Sequence, residues 1–153
     1  MNTALKQVYF KGMTIQVPEI WNVDTEELTE SDGQKAGSIS INGTGTDRRS
    51  IDLSYGPMPE GSDAYAEACG TYEEVMGEDD LDVDDEPIIC FQFQESKAYG
   101  FNVYAEDGFP CFFFCLEVIK NEKKNLLTVL ACAPDNEELQ NLIDFTEEYL
   151  TLE

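Results

Sequence analysis

The chain has 153 residues, 32 acidic and 9 basic, with no histidine and a formal charge of −23 at pH 7. That surplus repels phosphate, which argues against nucleic acid and anionic membrane as partners. The missing imidazole removes Ser-His-Asp and Cys-His nucleophiles and every His-containing zinc site. One domain spanning 1–153 fits the length, and 42% hydrophobic content supplies a core despite the charge.

Residues 1–7 lead into no apolar run of signal-peptide length, and the longest apolar run, 111–116, is too short to span a bilayer. A cytoplasmic location is therefore expected. Residues 7–10 and 13–17 form a hairpin across Lys11 and Gly12. Met13, Ile15 and Val17 share one face of its second strand, and Thr14 and Gln16 share the other. Pro18 stops that strand, and Trp21 reads as a core plug. Residues 24–37 are polar and acidic and read mostly as a loop, with a turn at Asp32-Gly33. Two alternating strands follow at 38–41 and 48–55, joined by a glycine-rich turn at 42–47. That turn lacks the lysine and following helix of a phosphate loop. Arg48 and Arg49 offset acidic neighbours at a strand edge.

A helix is predicted after Ser62, its N-cap, with an apolar stripe of Tyr65, Ala68, Cys69, Tyr72, Val75 and Met76 and a stop at Gly77. Residues 78–86 carry seven acids in nine positions, and no basic residue lies between Arg49 and Lys97. Such a block repels itself and reads as a solvated loop. A meander follows: a strand at 88–94, a return at 98–105, a hairpin signal at Asp107-Gly108, and a strand at 109–119. Phe112, Phe114, Leu116 and Val118 occupy one face of this last strand; Cys111, Phe113 and Cys115 occupy the other. Being apolar on both faces, it belongs at the centre of a sheet covered on both sides. A final strand at 126–133 precedes a helix capped by Asp135 with Glu138 three residues on, its stripe being Leu139, Leu142, Ile143, Thr146, Tyr149 and Leu150.

Few residues stand out for chemistry. Asp80-x-Asp82-x-Asp84 opens like a calcium loop, but the required glycine and glutamate positions hold Asp85 and Phe91, so no metal or other cofactor is assigned. Five cysteines, an odd number, suit reduced thiols used as small core residues. Cys111 and Cys115, four apart in one strand, would lie about 13 Å apart, too far for a disulfide. Glu117, at the end of the central strand, is the least ordinary carboxylate and reads as a strand end reaching solvent. No catalytic constellation emerges, and a non-enzyme is expected.

The segment Phe10-x-x-Met13-Thr14-Ile15-x-Val17-Pro18-x-x-Trp21 resembles the N-terminal signature of Mog/PsbP-like proteins, and the order of elements resembles theirs along nearly the whole chain. Small bacterial proteins of that fold are similar too. The resemblance implies an α+β fold, a mostly antiparallel β-sheet with helices packed on both faces in an α-β-α sandwich. Members serve as a GTPase partner, a photosystem subunit or chaperones of secreted effectors, and no functional residue carries over. The expected function is a non-catalytic protein-binding module, a chaperone or adaptor; the alternative is an acidic immunity-type inhibitor of a basic toxin. The expected partner is another protein, and the inhibitor reading makes it a basic one met by the acidic block, the candidate interaction site: Asp79, Asp80, Asp82, Asp84, Asp85 and Glu86.

Overall fold

The N-terminal alternation folds into the expected hairpin: β1 (Leu5–Phe10) pairs antiparallel with β2 (Met13–Pro18). Lys11 and Gly12 turn the chain at φ of 50° and 89°, the left-handed conformation that a two-residue hairpin needs at both positions. The structure, a computed structural model, describes residues 4–29, 35–76, 82–83, 88–104, 108–120 and 122–152. Asp32-Gly33, Gly77, Asp107 and most of the acidic block lie outside the described residues.

The loop expected over 24–37 is corrected. β3 (Asn22–Thr29) is a strand, paired along its length with β4 (Lys35–Asn42). β3 carries no apolar alternation because it is the outer edge of the larger sheet, where charges such as Asp24 and Glu26 deter pairing with other chains. Its conformation comes from the partner strand, which local pattern cannot reveal. β5 (Ser50–Pro57) continues the sheet from β4, and its Arg-containing start is trimmed to Ser50.

α1 (Ala64–Met76) is capped one residue later than expected. Asp63 Oδ1 accepts from Ala66 N at 2.8 Å, while Ser62 Oγ donates to Glu67 Oε2 at 2.7 Å. The expected stripe holds at Ala68, Tyr72 and Val75, and its first position moves from Tyr65 to Ala64. Ala64 and Ala68 are buried and Tyr65 is 51% exposed. The small alanines let the helix lie close on the sheet, where Cys115 Sγ donates to Ala64 O at 3.1 Å.

The meander follows as β6 (Asp82–Val83), β7 (Ile89–Phe93), β8 (Ser96–Tyr104), β9 (Pro110–Lys120) and β10 (Lys123–Cys132). Sheet order among the described residues is β3-β4-β5-β10-β9-β8-β6, with β7 also on β8. α2 (Asn136–Tyr149) starts at the Asp135 cap, whose carboxylate accepts from Glu138 N at 2.8 Å. The expected helical stripe ends one residue early: Leu150 turns extended and opens β11 (Leu150–Leu152), which pairs with β2. A second, three-stranded sheet of order β1-β2-β11 results.

The layers follow from the two faces of β9. Phe112, Phe114 and Leu116 join Ile39, Ile41, Ile51, Leu53, Leu127 and Val129 in the main core, closed by β2, Trp21 and α2. Cys115, Phe113 and Cys111 face α1 with Phe101, Val103 and Leu130. The fold is thus α+β, with one helix on each face of a mostly antiparallel sheet and a small sheet beside α2. Where neither helix covers the α1-side face, β4 and β5 are polar there, and Ser40 Oγ donates to Asp52 Oδ1 at 2.7 Å.

Candidate functional site

Between α2 and the β7–β9 end of the sheet lies an open cavity of about 450 Å³. Its floor is aromatic: Phe91 and Phe93 from β7 and Phe112 from β9, with Phe93 1% and Phe112 8% exposed. The rings are held by one another, Phe91 lying 5.5 Å from Phe112 and 5.2 Å from Phe114, and Phe93 lying 5.0 Å from Phe114. Such tilted and edge-on contacts fix ring positions before anything binds. Leu139 and Ile143 of α2 complete the apolar wall.

The rim is polar and negative. Asn136, Gln140, Asp144 and Glu147 recur along one face of α2 and meet Gln92 and Asn102 from the sheet. Gln140 Nε2 donates to Asp144 Oδ1 at 3.1 Å. Glu147 Oε2 accepts from Gln94 N at 2.7 Å, and the Gln94 amide donates to Glu147 O and Leu150 O at 2.7 and 2.6 Å. Gln94 sits at φ 48° in the two-residue β7–β8 turn, so these bonds pin that hairpin to the end of α2. No lysine or arginine is among the described residues that line the cavity. An apolar floor under a polar rim that carries two carboxylates, Asp144 and Glu147, suits an elongated ligand with a positive end.

Gly100 on β8 helps to form the floor. A Cβ there would run into the Phe113 carbonyl and come within 2.6 Å of Phe114 Cβ and 3.0 Å of the tip of the Phe112 ring. Its absence lets that ring lie across β8.

The residues singled out from sequence fall elsewhere. The backbone of Asp82 pairs with Tyr104 in β6, at the sheet edge; Asp79, Asp80, Asp84, Asp85 and Glu86 lie outside the described residues. Glu117 lines a separate groove of about 380 Å³ with Tyr65, Tyr99 and Ile119, and pairs with Lys124 at 3.5 Å. Trp21 is buried, and Arg49 lies 4.9 Å over its ring. Arg49 donates from Nε and Nη2 to Asp47 at 3.0 and 2.8 Å, holding that carboxyl below the usual aspartate value. The five cysteines were expected in the core; Cys90 is exposed on β7, which is an outer strand there. Among the described residues, no three or more Cys, Asp or Glu side chains converge on a metal-sized site. No described helix is long and apolar enough to cross a membrane. The cavity residues were missed from sequence, although Gln140, Asp144 and Glu147 at i, i+4 and i+7 mark one face of a helix.

No family model and no curated protein matches the chain. Its architecture does have solved counterparts. The fold is PsbP-like. The solution structure of cyanobacterial PsbP (CyanoP) from Synechocystis sp. PCC 6803 aligns with a TM-score of 0.61 at 9% identity, over 100% of this chain and 95% of that one. The crystal structure of LpqN, involved in cell envelope biogenesis of Mycobacterium tuberculosis, aligns with a TM-score of 0.50 at 16% identity, over 97% of this chain and 90% of that one. At such identities the likeness concerns fold alone.

Proposed function

We propose that the protein is a non-catalytic protein-binding module of the cytoplasm, a chaperone or adaptor, that receives a cationic segment of its partner in the cavity beside α2. The carrying observation is the aromatic floor of Phe91, Phe93 and Phe112 under the Asp144 and Glu147 carboxylates. A lysine or arginine side chain presents an apolar stem and a cationic head in that same order. A guanidinium over a phenyl face adds cation–π attraction. The net charge of −23 supports the reading, since it steers a basic partner inward from beyond contact distance. The lack of any histidine supports a binding role over a catalytic one.

The test is an amide-resolved NMR titration with a short peptide rich in arginine and leucine, beside a counterpart in which glutamate replaces arginine. Shifts confined to β7 and α2 are expected for the basic peptide alone. Asp144→Asn is expected to weaken it about fivefold, and added salt to weaken it further. Equal binding of the acidic counterpart, or no shift at Phe91, Phe93 and Asp144, overturns the proposal.

A further inference from the structure

Cys111 and Cys132, 21 positions apart in sequence, are direct cross-strand partners on β9 and β10. The next pair outward carries the bond from Ala133 N to Pro110 O at 3.2 Å. Antiparallel rungs alternate, so Cys111 and Cys132 form a non-hydrogen-bonded rung, the type whose Cα atoms approach to about 4.5 Å. That lies within the span of a disulfide, about 4.4–6.8 Å between Cα atoms. Both side chains point to the α1 side, in the cluster with Phe101, Val103 and Val75.

We propose that this pair is an oxidation site at which a cross-strand disulfide joins Cys111 to Cys132, with a small-molecule disulfide of the glutathione class as oxidant. Cys132 is the more exposed of the two and reacts first. Its thiolate attacks one sulfur of the small disulfide, and the displaced thiolate takes up the proton that Cys132 gave. The Cys111 thiolate then attacks the Cys132 sulfur of the mixed disulfide, and the second small thiol leaves with the Cys111 proton. Two electrons pass from the cysteine pair to the oxidant, and one disulfide replaces another. The contact between the thiols supports the pairing: a hydrogen bond to Cys111, followed by burial, pushes the Cys132 thiol up from its ordinary value. Few thiolates are then present near neutral pH, so oxidation is slow. The new bond would tie together the open end of the β9–β10 hairpin, from which the chain leaves for α2.

The full chain is incubated with oxidised glutathione, denatured, alkylated and digested with trypsin. Cleavage at Lys97, Lys120 and Lys124 separates peptide 98–120, holding Cys111 and Cys115, from peptide 125–153, holding Cys132. The expected result is loss of two of the five alkylatable thiols and a linked 98–120/125–153 pair, with fragmentation placing the bond on Cys111. Cys115→Ser keeps the linked pair, Cys132→Ser abolishes it, and dithiothreitol restores all five thiols in the wild type. A bond mapped to Cys115, a Cys90-linked dimer with Cys111 and Cys132 still alkylated, or five alkylated thiols after prolonged oxidation overturns the proposal.

Discussion

Asp47 closes a small polar device on an apolar residue. Trp21, buried in the main core just after Pro18 ends β2, is covered by the Arg49 guanidinium. Asp47 fixes that guanidinium in a two-point grip, and Gly43 N donates to Arg49 O at 2.9 Å to shut the loop. The Arg49 hydrogen bond lowers the Asp47 pKa from 3.8, against a smaller opposing effect of burial. A carboxyl lowered on folding contributes stability in full above its unfolded value and loses it as pH falls through the folded one. Asp47→Asn should therefore destabilise the protein by about 0.5–1 kcal/mol near neutral pH, since the pair is partly exposed. Thermal melts of wild type and variant should differ by a constant amount well above pH 3.8 and converge as the pH falls through that value and below it. A gap that persists undiminished into strong acid contradicts this account. Much was legible at this scale, as Trp21 was expected in the core and Arg49 beside an acidic neighbour; the stacking of Arg49 on Trp21 was not, because a cation–π contact between residues 28 positions apart leaves no periodic trace.

β9 shows how one element organises both layers. Each of its faces is apolar, so it had to be central, and it is flanked by β8 and β10 with a helix beyond each face. Its bulky residues need one thin partner, and Gly100, the cross-strand neighbour of Phe114, provides it. Gly100→Ala should cost about 2–3 kcal/mol, because the Phe113 backbone, unlike a flexible side chain, cannot move aside. Urea unfolding measures that loss, and a variant within a few tenths of a kcal/mol of wild type shows that β8 shifts freely. α2 was equally legible through Asp135 and Glu138, and its buried Leu139, Leu142 and Thr146 follow the expected stripe. α1 was legible in place and in most of its stripe, with Ala68, Tyr72 and Val75 packed against the sheet; at its start Ala64 takes the place expected of Tyr65, because close approach favours a small side chain.

At the scale of the whole molecule, Leu150 is the joint. It ends α2, starts β11, pairs with Ile15 of β2 and is 3% exposed in the main core. Leu150→Ala should remove about 3 kcal/mol, with a matching fall in thermal midpoint, because the helix, the small sheet and the large sheet all meet there. A change below about 0.5 kcal/mol, the size of an ordinary surface substitution, contradicts that role.

By itself the sequence determined the N-terminal hairpin, the two-sided central strand, the C-terminal helix and the strongly acidic character. All of these rest on signals carried within a few residues: a period of two or 3.6, a cap, a turn pair, a charge count. Only the tertiary structure decided that the acidic stretch at 22–29 is an edge strand, that residues 150–152 return to β2, and that Phe91 and Phe112 share a cavity floor with the α2 carboxylates. The same holds for Cys132 standing opposite Cys111. Those outcomes depend on strand register and on which faces meet, and a shift of one residue would exchange every such neighbour while leaving the local pattern unchanged.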